Sequence, residues 1–150
     1  MKVDYQIVYP ASGAEFPSRP IPQKVMEGYL VVGCSEWMTN ETFRRGFCDL
    51  IFAGCGNHPG NEPDQSFGAE YDSGDPGINR VHRQWEPYQT RSMSVGDLVR
   101  IPAINEWWLC DVIGWVKLTK EQADSWRSFP RQFAFGGGEL RHWKNQNGLE

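Results

Sequence analysis

Polar and apolar residues alternate from Val3 to Tyr9, with Val3, Tyr5, Ile7 and Tyr9 on one side, which is the period of a half-buried strand. Pro10 stops it. The stretch with Pro17, Pro20 and Pro22 suits an irregular connection, because proline lacks the N–H that a helix interior or a ladder needs. Tyr29 to Gly33 is a short continuous apolar run, the pattern of a strand buried on both faces. Thr39-Asn40-Glu41 then reads as a helix start, where a side-chain oxygen accepts from an orphan backbone N–H. Phe43, Phe47, Leu50 and Ile51 follow at helical spacing, so one face points to a core. Gly46 weakens that helix by about 1 kcal/mol relative to alanine, and a strand from Cys48 to Phe52 is the competing reading.

The pattern breaks down from Ala53. Gly54, Gly56, Gly60, Gly68, Pro59 and Pro63 interrupt every period, and an irregular loop over about 54–84 is expected. Loops of that length are uncommon in compact domains and usually carry function. This one is one-sided in charge: Glu62, Asp64, Glu70, Asp72 and Asp75 meet no Lys or Arg before Arg80.

Order resumes after Trp85. Ser92 to Asp97 reads as a turn in which Gly96 supplies a positive φ. Leu98 to Ile101 is a strand ended by Pro102, Ile104-Asn105-Glu106 is a hairpin loop, and Trp107 to Val112 is its partner strand. Trp115-Val116-Lys117-Leu118 extends or follows that strand, with Gly114 at a bend or bulge. Thr119 and Gln122 have the spacing of a capping box, predicting a short helix through about Phe129 that stops before Pro130. Gln132 to Phe135 adds an edge strand, and Gly136-Gly137-Gly138 frees a flexible tail over about 136–150. The expected fold is α+β in a single domain over 1–150: a small antiparallel sheet or partly open barrel, two short helices and a long loop.

Composition adjusts this picture in a few places. An aromatic share of 13%, with 7 Trp, favours β cores and interfaces alike, since indole joins a large apolar area to a polar edge. The formal charge of -4, with no basic run longer than Arg44-Arg45, disfavours direct nucleic-acid binding, which draws most of its affinity from clustered cations. No apolar run approaches the roughly 20 residues of a membrane span, and Met1-Lys2-Val3-Asp4-Tyr5 lacks the apolar core of a signal peptide. Cys34, Cys48, Cys55 and Cys110 are then expected to be reduced thiols in a cytoplasm.

Arg91-Ser92-Met93-Ser94-Val95-Gly96-Asp97-Leu98-Val99, an aromatic strand, and then Gly114-Trp115-Val116-Lys117-Leu118 are similar to the end of YodL-like domains. Those modules recur in proteins of plasmids, phages and other mobile elements. The similarity runs from Trp85 to Leu118 and departs where the family has Tyr-Val-Asp-Ser-Phe-Gly-Phe. Here the chain reads Trp108-Leu109-Cys110-Asp111-Val112-Ile113-Gly114-Trp115, and the acidic segment has no counterpart. The family carries no settled activity, so the resemblance transfers no catalytic residue. It implies a setting among bacteria, their viruses and transferable DNA.

Candidate chemistry is sparse. Cys48, Cys55 and His58, with His82 or Cys110 as a fourth ligand, have the residue types zinc takes, but their spacing lacks the short C-x2-C pairs of a knuckle. Idle thiols are the simpler reading. Cys55, in Gly54-Cys55-Gly56-Asn57-His58, is the one thiol expected in an exposed loop beside a histidine. No phosphate loop, nucleophile elbow or H-E-x-x-H motif is present, so no cofactor is expected. Trp107 and Trp108 fall on opposite faces of one strand, which leaves one of them for a second layer or a partner.

These readings converge on a non-enzymatic binding module of a phage or mobile element. It would inhibit or modulate a host protein such as a defence nuclease or another nucleic-acid-processing enzyme. The expected contacts are Glu62, Asp64, Glu70, Asp72 and Asp75, with Trp85, Trp107 and Trp108 as apolar anchors. The alternative is an enzyme or small-molecule sensor whose pocket, under the Gly-rich loop, holds Cys55, His58 and His82.

Overall fold

The computed structural model describes residues 1–15, 19–56, 72–130 and 137–149. The strands are β1 (Lys2–Tyr9), β2 (Ser12–Glu15), β3 (Arg19–Ile21), β4 (Lys24–Val31), β5 (Leu98–Ile101), β6 (Glu106–Cys110) and β7 (Trp115–Leu118). The helices are α1 (Glu41–Gly54), α2 (Pro76–Trp85), α3 (Lys120–Ser128) and α4 (Gly137–Gln146). An open antiparallel sheet takes the order β4-β1-β5-β6-β7, and β2 pairs with β3 in a separate hairpin. The class is α+β as expected, with an open sheet rather than a barrel. By contact the chain divides into two compact units, Met1–Tyr5 with Glu27–Met93, and Gln6–Met26 with Ser94–Glu150. No helix among the described residues is long and apolar enough to cross a membrane.

In the first unit, Asn40 caps α1 by accepting from the Thr42 N–H at 2.9 Å, and the helix runs through Gly46 and on past the competing strand. Its buried face is Arg44, Phe47, Cys48, Ile51 and Gly54. Phe43 was expected on that face and is instead 44% exposed, because it sits one step round the helix from the buried line. Phe47 meets Tyr5 edge-on and stacks with Trp37, at 6.2 and 6.4 Å between ring centres. Gly54 lets α2 approach: a Cβ there would collide with Val81.

α2 lies inside the segment expected to be loop as far as residue 84. Asp75 caps it, accepting from the N–H groups of Gly77 and Ile78, and Pro76 occupies the first turn, where a missing N–H costs nothing. From α2, Gln84 reaches the outer edge of β4. Its Oε1 accepts from the Tyr29 N–H at 2.9 Å and from the Tyr5 hydroxyl at 3.0 Å, while its amide donates to the Tyr29 carbonyl at 3.0 Å. Two residues back along β4, the Tyr88 hydroxyl takes the Glu27 N–H at 3.2 Å. Side chains thus stand where the next strand would bond. The strand expected over Tyr29 to Gly33, buried on both faces, is instead Lys24–Val31 at the sheet edge, where only Met26 and Leu30 are buried and Val25 and Val31 are exposed.

In the second unit, β5, β6 and β7 pair in the register Arg100↔Trp107↔Leu118 and Val99↔Trp108↔Lys117. Asp97 closes the preceding turn by accepting from the Ser94 N–H at 2.8 Å, and Gly96 adopts φ 95°. Both arms of the capping box at Thr119 and Gln122 form, starting α3. Val8, Leu98, Trp107, Leu109, Leu118, Ala123, Trp126, Leu140 and Trp143 make one buried cluster. The indole N–H of Trp126 donates to the Gly96 carbonyl at 2.7 Å, so the buried ring leaves no orphan donor.

Residues 137–149 were expected to form a flexible tail; they carry α4, pinned by Leu140 and Trp143. The helix ends with Gly148 at φ 69°, the Leu149 N–H on the Lys144 carbonyl at 2.9 Å and the Gly148 N–H on the Asn145 carbonyl at 3.5 Å. That is the Schellman pattern, whose last residue folds back apolar onto the helix, and Leu149 does pack against the cluster. The strand expected over Gln132 to Phe135 lies outside the described residues.

A Cβ at Gly28 would collide with Gln84 Oε1 and the Tyr5 hydroxyl, whereas one at Gly46 meets nothing. Gly28→Ala is therefore expected to destabilise the chain by about 1–3 kcal/mol. Gly46→Ala should stabilise it by about 0.5–1 kcal/mol. Urea unfolding measures both, and equal stabilities would contradict the described edge.

Candidate functional site

Glu62, Asp64 and Glu70, with His58, lie outside the described residues. Asp75 is the α2 cap, and Asp72 accepts from the Gly74 N–H and the Asn79 amide, each at 2.9 Å. These two carboxylates thus satisfy donors at the start of their own helix. The Gly74 bond first, and the Asn79 bond after it, hold the Asp72 carboxyl below its ordinary pKa.

The indoles are placed differently from expectation as well. Trp107 and Trp108 do point to opposite faces, but they are only 4% and 0% exposed, so neither is free to anchor a partner. The reason is that both faces of β6 are covered. Trp108 Nε1 donates to Glu106 Oε1 at 3.2 Å, and Glu106 in turn pairs with Lys117 at 3.1 Å. Trp107 lies under the guanidinium groups of Arg100 and Arg127, at 5.3 and 5.5 Å from the ring centre. Trp85 is half-buried at the end of α2, beside the His82 ring.

The thiols separate in the opposite sense to the sequence reading. Cys55, expected in an exposed loop, is fully buried at the end of α1, and Cys48 is fully buried within α1. Cys34 is exposed, while Cys110 is buried in β6. His82 is half-buried, with Nε2 4.0 Å from Glu86. Among the described residues no group of three or more His, Cys, Asp or Glu side chains is placed to hold a metal ion.

The bend expected at Gly114 is the turn between β6 and β7, and what the sequence reading missed is the tip that it exposes. Asp111 and Gly114 close it, the Asp111 N–H donating to the Gly114 carbonyl at 3.0 Å, with Gly114 at φ 71°. Val112 and Ile113 form its tip, 71% and 91% exposed. β-turns favour Gly, Asn, Asp and Ser at such positions, and two β-branched aliphatics so exposed bury little for the fold. The chain had been read as strand as far as Val112. An Asp followed three residues on by Gly, the preferred ends of a type I turn, is the signal that would have divided it.

Beside the tip is a half-open cleft of about 510 Å³, lined by Asp111, Val112, Ile113, Leu140, Arg141, Lys144, Asn145 and Leu149. Its polar groups differ in their freedom. Lys144 is held by Asp111, both side chains nearly buried, so their charges cancel. Arg141 is exposed and makes no hydrogen bond or ion pair among the described residues. The site thus combines an apolar knob, an apolar floor from Leu140 and Leu149, and one free guanidinium. Comparison with known proteins finds no matching family model, no matching curated protein and no matching solved structure.

Two measurements check these placements. A thiol reagent is expected to modify Cys34 alone in the folded protein and all four cysteines in denaturant, counted by mass. Rapid labelling of Cys55 would reopen its case as a nucleophile. Asp72 titrates lower folded than unfolded, so its stabilisation is complete above the ordinary carboxylate range and is lost as pH falls through the folded value. The Gly74 amide resonance should report that low midpoint and lose it in Asp72→Asn; an unchanged titration would contradict the bond.

Proposed function

We propose that this chain is a non-enzymatic protein-binding module of a phage or other mobile element, docking onto a host protein through the β6–β7 turn and the adjoining cleft. One observation carries the reading: Val112 and Ile113 stand in water at a turn where the fold has no use for them. Burying such a side chain is worth about 1.5–3 kcal/mol, and only a partner can realise it here. Positions where local rules fail without a structural return are those expected to serve function. The mobile-element setting comes from the resemblance between Trp85 and Leu118, and it favours a host defence enzyme, such as a nuclease, as the target.

The proposed contacts are Val112, Ile113 and the cleft, and the acids Glu62, Asp64 and Glu70 lie outside the described residues. An apolar centre ringed by polar groups is the usual anatomy of a transient interface.

Tagged wild-type chain is expected to recover one stoichiometric partner from lysate of a bacterial host. The double variant Val112→Asp with Ile113→Asp should lose it, with its urea midpoint little changed because the tip is mostly exposed. A variant that keeps the partner, or a wild type that recovers none, would sink the proposal.

A further inference from the structure

We infer that the cleft beside the β6–β7 turn recognises a peptide segment in which a carboxylate lies between apolar side chains. The inference rests on the docking reading above and names the chemistry of what docks. Arg141 is the deciding group. Lys144 is neutralised by Asp111 in a nearly buried pair, which leaves the Arg141 guanidinium as the cleft's unpaired charge among the described residues. A guanidinium presents a planar fork of donors that matches a carboxylate with two parallel bonds. It borders an apolar floor and the aliphatic tip, so a carboxylate bound there sits in reduced water, where such a bond is stronger. Asn145, on the same wall, offers a side-chain amide for the backbone of an extended segment.

Dimensions and charge choose among occupants. About 510 Å³ lies in the range of roughly 300–1,000 Å³ that suits small-molecule-sized groups, enough for a few side chains and too little for a folded element. An anionic membrane surface would also attract an aliphatic tip beside an arginine. Stable attraction of that kind needs a cluster of about 4–8 cations, whereas among the described residues this cleft has one free cation, in a chain of formal charge -4.

The test uses the full chain, isotope-labelled, titrated with acetyl-Gly-Leu-Glu-Leu-Gly-amide and with its Gln counterpart. Saturable amide shifts confined to residues 111–114 and 140–149 are expected, with the Gln peptide binding about tenfold more weakly, as loss of one charge-assisted bond implies. Arg141→Gln should erase the difference between the peptides, and Ile113→Asp should abolish binding of both. The inference is overturned if no saturable shifts appear, or if wild type binds both peptides equally. Sedimentation with phosphatidylglycerol vesicles, without peptide binding, overturns it in favour of a membrane. Because only purified components are used, a failed titration alongside successful host capture removes the peptide chemistry alone. A successful titration with no host partner removes the earlier docking reading alone.

Discussion

β6 is buried at every one of its five residues, and because neighbours along a strand point to opposite faces, the sheet must be closed on both sides. Much else follows from that requirement. On the Trp107 side, α3 and α4 bring Trp126, Leu140 and Trp143 into one cluster with the strands. On the Trp108 side the difficulty is electrical, since a fully buried indole N–H needs an acceptor. Glu106 supplies it from the same face, two residues back. A carboxylate 8% exposed then needs a counter-charge, and Lys117, directly across from Trp108 on β7, supplies that. One buried ring thus dictates the identities of two charged residues on two strands.

The elements legible in the chain were those whose signals are local. Alternation marked β1, and Pro102 with the aromatic run marked β5 and β6. The Asn40 cap and the Thr119–Gln122 box marked α1 and α3, because a side chain bonding a backbone two or three residues away needs no tertiary context. The missed helices were hidden by residues treated as breakers. Asp75-Pro76 reads as a loop if proline is taken as a stop, yet Pro at the first helical position after an acidic cap is a start. Gly137 and Gly138 likewise sit in the first turn of α4, and Asn147-Gly148, a few residues past Glu-Leu-Arg-His-Trp, is a helix end.

The site was less legible than the fold, and for a physical reason. Acidic and aromatic residues draw attention by type, but burial decides what a partner meets. Tryptophans that seemed surplus are consumed by the core, and Asp72 and Asp75 are consumed by a helix cap. Val112 and Ile113 look like ordinary strand residues until a turn places them at its tip. Arg141 becomes distinctive only because Lys144, three residues on, is already taken by Asp111, a pairing that joins α4 to a hairpin residue 33 positions earlier in the chain. Neither fact is visible in the local pattern.

Gln84 and Tyr88 have a consequence beyond holding α2. An open sheet has a rim, and an uncovered rim is a template onto which another chain's strand can zip. Here an amide and a phenol borrowed from the neighbouring helical segment fill alternate rungs of that template at Tyr29 and Glu27. The molecule can therefore offer a sticky aliphatic turn to the outside while closing its β4 edge to the strand pairing by which sticky proteins most readily polymerise into fibres.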